Sequence, residues 1–234
     1  MDTTPSTPST PGGAYGLVER AHLRQWAMRA VVPLAALSTN GAGLLDVAWL
    51  PTSRSAPHAA EHALRWTGLA LVVVSAALRV AAKGVLVRKT TLTTGGVYGV
   101  VRHPFYLANI IGALGTFLVA GPLGTVVGAA WVVVAAPLYL ITIAGEETAL
   151  SRIFADEFAA YSAHVRALVP GRPPPGRPAT RVTWANLKAE REPPRLLRFL
   201  AGAVLVFGLT TTGPVATTAL AAAALAFGIS HALR

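Results

Sequence analysis

Residues 102–147 read RHPFYLANIIGALGTFLVAGPLGTVVGAAWVVVAAPLYLITIAGEE. From Phe105 to Ala144 this run holds no charged residue, and Gly121-Pro122 interrupts it near its middle. In lipid a segment satisfies its own backbone N–H and C=O groups only as a helix or a closed barrel. Two apolar arms on either side of a tight turn therefore read as a transmembrane helical hairpin, 105–120 and 123–144. The first arm is short for a crossing that takes about 20 residues. The hairpin returns its two ends to one membrane face, so Arg102-His103 on one arm meets Glu146-Glu147 on the other.

The rest of the chain agrees with an all-α, polytopic membrane protein. It has 234 residues, 53% hydrophobic and 13% charged, whereas a soluble domain carries about 25% charge. It contains no cysteine, which excludes disulfides, thiolate nucleophiles and thiolate metal sites. Residues 1–16 are rich in Pro, Thr and Ser and lack the basic start of a signal peptide, so they read as a disordered tail. Residues 17–63 hold a short interfacial helix (17–29) and a first span near 30–50, interrupted by Pro33, Ser38-Thr39-Asn40-Gly41 and Asp46. A loop with Pro51, Pro57, His58 and His62 precedes a second span at 64–82. Residues 64–171 form the membrane core and 172–195 a Pro-rich linker, with Thr183 capping a short helix at 183–191. Residues 196–234 carry two packing spans, near 196–212 and 214–231, that turn at Pro214. Five to six spans result.

With six spans, 18 of the 20 Lys and Arg residues fall on one face and only Arg54 and Arg65 on the other. That asymmetry places the basic face, both termini and both polar clusters in the cytosol, at the plasma membrane if the protein is bacterial. The net charge of +10 is then matched by anionic lipid headgroups, and nucleic acid is not an expected partner.

His103 precedes a proline that starts a helix, a setting that exposes its imidazole and the free N–H groups of Phe105 and Tyr106. Glu146 and Glu147 end the facing helix and need cations such as Arg102, Arg152 or a ligand amine. The pair predicts a pocket with anion binders on one wall and cation binders on the other, roofed by aromatics. Such a pocket suits a zwitterionic, amino-acid-like head on an apolar or aromatic body. Plainer readings exist for each part: a headgroup contact for Arg-His, a solvated helix end for Glu-Glu, and snorkelling for Arg79 and Asp46. The remaining histidines have no metal-ligand pattern beyond His58/His62, which lacks carboxylates beside it. Gly95-Gly96 with Gly99 lacks the strand–turn–helix setting of a dinucleotide fingerprint. Downstream, Leu150, Phe154, Phe158 and Tyr161 recur at helical spacing in a soluble-looking helix.

The pattern Gly96-x-Tyr98-x-x-Val101-Arg102-His103-Pro104-x-Tyr106, a hairpin, Glu146-Glu147-x-x-Leu150-x-x-x-Phe154, then Tyr161 and Val169-Pro170, resembles the isoprenylcysteine carboxyl methyltransferase family. It is more loosely similar to the phospholipid N-methyltransferases. The resemblance covers residues 64–171 and implies an S-adenosylmethionine-dependent methyltransferase whose lipophilic or lipidated acceptor enters from the bilayer. It implies that Arg102, His103, Pro104, Tyr106, Glu146 and Glu147 line the cofactor site. A carboxylate acceptor needs no base; for a protonated amine or thiol acceptor, Glu147 or His103 is the catalytic candidate. The family commonly has Phe-Gly-x-x-Tyr where this chain has Phe154-Ala155-Asp156-Glu157-Phe158. Alternatives within the reading are phospholipid or amine N-methylation and thiol S-methylation. From other classes come an NADPH-dependent isoprenoid or sterol reductase and a non-enzymatic membrane scaffold.

Overall fold

The computed structural model describes residues 23, 25–44, 58–87, 91–173, 180–211 and 214–233. The expected tail at 1–16, the start of the interfacial helix, Asp46 and residues 174–179 of the linker lie outside them. Among the described residues the chain is helical, with no strand. In order come α1 (Val31–Leu44), α2 (His58–Val85), a 3-10 turn (Gly96–Gly99), α3 (Pro104–Val119), α4 (Pro122–His164), α5 (Trp184–Ala189), α6 (Glu192–Thr210) and α7 (Pro214–Ala232). Helices α2, α4, α6 and α7 are long and apolar enough to cross a membrane, and α3 is a shorter apolar helix. Val73, Val133, Val134 and Leu225 are each about two-thirds exposed or more. Valine and leucine so exposed on spanning helices face lipid rather than water. The chain is a polytopic helical membrane protein.

The hairpin forms where its sequence places it. Pro104 opens α3 with His103 as its cap. Gly121 turns at φ 89°, a left-handed conformation open to glycine, and Pro122 opens α4. Along its length α3 packs against α2, and the approach is close because glycines meet. A Cβ on Gly68 would lie 2.6 Å from the Gly115 carbonyl oxygen, and one on Gly115 would lie 2.7 Å from that of Gly68. The Ser75 hydroxyl donates to the Ala108 carbonyl at 2.7 Å across the same seam. Small residues and interhelical hydrogen bonds are the usual means of joining helices in lipid. Around this seam Phe117, Trp131, Tyr139, Val31 and Val206 form the principal apolar core.

Three expectations are corrected. The helix that carries the second span starts at His58, so His62 is helical rather than in a loop. Glu146 and Glu147 do not end the facing helix. Nothing between Ala144 and Phe154 breaks it, and α4 continues to His164 with a single interruption at Ala155, where φ is 35° and ψ −111°. Finally, Arg79 does not snorkel. It is 8% exposed, its guanidinium lies 2.7 Å from Oε1 of Glu192, donates to Asn109 and stands over the Phe105 ring at 4.7 Å. Lys83, one turn further along α2, pairs with Glu190 at 2.9 Å and lies 4.2 Å from the centre of the same ring. Charges inside apolar surroundings need partners, and here the α5–α6 corner supplies both carboxylates. The last spans are thus tied to the core by buried ions as well as by packing.

Removing one member of a buried pair costs about 3–5 kcal/mol, while replacing both with apolar groups is often neutral. Glu192→Ala is therefore expected to lower the unfolding midpoint sharply, and Arg79→Met/Glu192→Leu to recover most of the loss; equal losses in both variants would contradict a compensated pair. At Ala155 a left-handed φ strains any side chain by about 1–3 kcal/mol. Ala155→Gly is expected to raise the thermal midpoint, and a fall would show that the break is relaxed.

Candidate functional site

Residues 96–103 are held against the segment that follows α4. Gly96 adopts φ 58°, and a Cβ there would meet Oγ1 of Thr180 at 2.6 Å. Beyond the 3-10 turn three backbone hydrogen bonds hold residues 100–103 to 166–171. The Arg102 N–H donates to the Arg166 carbonyl (2.8 Å), the His103 N–H to that of Ala167 (3.0 Å) and the Gly171 N–H to that of Val100 (2.9 Å). The Tyr161 hydroxyl donates to the Tyr98 carbonyl at 2.7 Å. Phe158, Tyr161 and Val165 pack with Leu92, Leu150 and Phe154 in a second apolar cluster. Phe158 is buried there, so an apolar ring suits the position where the resembled family has a tyrosine.

The two polar clusters come together. Arg102 donates through Nε (2.9 Å) and Nη2 (2.8 Å) to Oε1 of Glu147. Its Nη1 donates to the Ser162 carbonyl at 2.8 Å and also to that of Val165. Nε2 of His103 is 3.0 Å from the same Glu147 oxygen. The Tyr106 hydroxyl donates to Oε2 of Glu146 at 2.8 Å, and Nδ1 of His103 lies 3.8 Å from that oxygen. The His103 and Tyr106 rings stack at 5.6 Å, and Tyr106 meets Tyr139 edge-on at 5.7 Å. Adjacent helical positions point about 100° apart, which separates the two glutamates. Glu147 turns to Arg102 and His103 with 24% of its side chain exposed, whereas Glu146 keeps 48% exposed.

Beside this cluster lies a cavity of about 410 Å³, within the range of about 300–1,000 Å³ typical of small-molecule sites. Arg102, His103, Pro104, Tyr106 and Glu146 line it, and Leu92, Leu150 and Phe154 supply apolar wall. Glu147 is not among the lining residues; it braces Arg102 and His103 from behind. Two further expectations are corrected here. The His103 imidazole is buried, 7% exposed, and the Tyr106 N–H donates to the His103 carbonyl at 3.1 Å. The Tyr106 hydroxyl is turned to Glu146. The sequence reading missed Lys83 and Arg195, which also line the cavity. Lys83 carries a signal, since it falls one helical turn after Arg79. Arg195 carries none, because the linker separates it from the core.

Residues 63–157 match the model of a family described as phospholipid methyltransferase. The match spans less than half of the chain, taking in α2, α3 and both halves of the polar pair, and it supports a membrane methyltransferase acting on lipid-type substrates. It lies within the wider group that the sequence resembles and names the phospholipid branch rather than the isoprenylcysteine branch. No curated protein and no solved structure matches significantly.

The Arg102 fork generates a test. A lysine keeps the charge but cannot donate to Glu147 and two carbonyls in a fixed plane. Charge-assisted hydrogen bonds contribute about 1.5–3 kcal/mol, so Arg102→Lys is expected to speed amide exchange in peptides covering 100–104 and 165–171 by tenfold or more, roughly the equivalent of 1.4 kcal/mol. Unchanged protection would mean that the fork does not hold these segments.

Proposed function

We propose that the protein is an integral-membrane S-adenosylmethionine-dependent methyltransferase that acts on a lipophilic acceptor, with a carboxylate as the preferred acceptor group. The observation that carries this reading is the convergence of Arg102, His103 and Tyr106 with Glu146 and Glu147 beside one amphipathic cavity. The residues fit the cofactor chemically. Its ammonium suits the half-exposed Glu146 carboxylate, its carboxylate suits a cationic lining, and its planar base suits apolar and aromatic wall. When bound, S-adenosylmethionine supplies an activated methyl group.

The chain's own residues then have separable tasks. Glu146 accepts hydrogen bonds from an ammonium, and Tyr106 fixes the rotamer of that carboxylate. Glu147 and Arg102 hold His103 in place, with Nδ1 nearer the cavity-facing glutamate. Leu92, Leu150 and Phe154 exclude water, which favours reaction between opposite charges. A carboxylate acceptor arrives ionised and needs only alignment, a contribution of several kcal/mol, with about 7–11 the upper range. Arg195 on the lining favours such an anionic group, whereas Lys83 is already paired with Glu190. The positive-inside bias supports a cavity that opens to the cytosol.

The family description favours a second reading, N-methylation of an amine-bearing phospholipid. An ammonium acceptor must lose a proton, and His103, backed by Glu147, is then the general base. Incubating reconstituted protein and membranes with methyl-labelled S-adenosylmethionine separates the two. An ester product releases labelled methanol in alkali, whereas an N-methyl product is stable. Saturable binding of S-adenosylmethionine in preference to NADPH is expected, weakened by about tenfold or more in Glu146→Gln through loss of a charge-assisted hydrogen bond. Absence of saturable binding by the wild-type protein would overturn the proposal.

A further inference from the structure

A second cavity, of about 550 Å³, opens where α5, the start of α6 and the end of α7 meet. Its lining combines four cations, Lys188, Arg191, Arg195 and Arg198, with Trp184, Pro193, Pro194 and Leu233. In sequence the segment 188–198 offsets half of these charges, because Glu190 and Glu192 lie among them. The fold removes that offset. Glu192 is completely buried and Glu190 9% exposed, and both carboxylates point away to Arg79 and Lys83 of α2. Among the described residues no carboxylate lines the second cavity. The cations left behind face outward: Lys188, Arg191 and Arg195 are exposed. Arg195 is held by donation to the Glu190 carbonyl at 3.0 Å, and Lys188 stands 5.8 Å above the Trp184 ring.

The position of the cavity identifies the ligand chemistry. Helices α6 and α7 are both candidate membrane spans, and the cavity sits at the end of that pair, where a span leaves the hydrocarbon. Trp184 is 60% exposed and Leu233 56%; a tryptophan at this depth marks the headgroup level. Basic pockets between spanning helices at that level take the phosphates of anionic lipids. Four cations around a space of headgroup size, floored by proline and leucine, suit a phosphodiester with the glycerol carbons behind it.

We propose that the α5–α6–α7 corner is a binding site for the headgroup of an acidic phospholipid, with Lys188 and Arg191 as its outer phosphate ligands. Arg195 lines both this cavity and the one beside Glu146, so a lipid held here sits against the wall of the candidate methyl-transfer site. The site stands on its own residues, all outside the segment that matches the methyltransferase family, and is independent of the cofactor assignment.

The test uses the full-length protein, delipidated in a neutral detergent. Native mass spectrometry then measures retention of phosphatidylglycerol and of phosphatidylcholine. Wild-type protein is expected to retain phosphatidylglycerol selectively. Lys188→Gln/Arg191→Gln is expected to weaken that retention by about thirtyfold, from two cations at the membrane surface. Arg172→Gln/Arg181→Gln, an equal loss of charge at exposed positions outside the cavity, is expected to leave it unchanged. Equal retention of the two lipids by wild type would overturn the proposal. So would an undiminished Lys188/Arg191 variant, or a control variant that loses as much. Displacement of the lipid by millimolar inorganic phosphate would also overturn it, by showing a site for free anions instead.

Discussion

The guanidinium of Arg102 fixes three parts of the molecule in one plane. Two of its nitrogens meet one Glu147 oxygen, and the third meets the carbonyls of Ser162 and Val165. Through Glu147 it fixes the stretch before α3 to the middle of α4. Through the two carbonyls it catches the end of α4, whose last C=O groups have no intrahelical partner. The backbone hydrogen bonds between 100–103 and 166–171 lie beside those anchors, and so does the second apolar cluster. Arginine suits this role because its donors form a rigid fork and its charge survives burial. The site beside Arg102 is therefore built on an internal ion pair, and the groups that face the cavity are those the pair leaves over: Glu146, Tyr106 and one edge of His103.

A second set of ions has the opposite outcome. On α2, Arg79 and Lys83 lie at a depth where a lone cation is costly, and the acids that offset them come from beyond the linker, at Glu192 and Glu190. The pairing secures the last two spans to the core while Phe105 lies against both cations. It also changes the surface. Each carboxylate drawn inward leaves a neighbouring arginine or lysine without its local counter-charge, so a structural requirement inside the molecule makes an anion-attracting corner outside it. The two cavities meet at Arg195 because that residue stands between the inward acids and the outward cations.

Much of the fold was legible from local chemistry. The uncharged run 105–144 with Gly121-Pro122 at its middle has one economical solution in lipid, and the Thr183 cap and the turn at Pro214 are short-range signals. The meeting of 102–106 with 146–147 followed from the hairpin alone. What escaped the sequence depends on long-range partners. Arg79 looked like a residue that must reach an interface, because its acid lies 113 positions away and nothing local announces it. Glu146 and Glu147 looked equivalent, and only the rotation between adjacent helical positions assigns one to the fork and the other to the cavity. The length of α4 was misread because a drop in hydropathy after Ala144 marks the edge of the membrane and not the end of the helix.

The break at Ala155 shows why that helix does not simply run on. Beyond the break Phe158, Tyr161 and Val165 pack with Leu92, and the Tyr161 hydroxyl reaches the Tyr98 carbonyl at 2.7 Å. An alanine held at φ 35° costs energy that glycine would not, and the cost is offset nearby. Burial of two aromatic rings contributes about 1.5–3 kcal/mol for each phenylalanine-sized side chain, and the charge-assisted bonds of Arg102 add to it. The strain is therefore sustained from both sides of the break, and the segment that carries it is the one that seats Leu150 and Phe154 on the cavity wall. Its backbone geometry belongs to the site as much as any charged residue does.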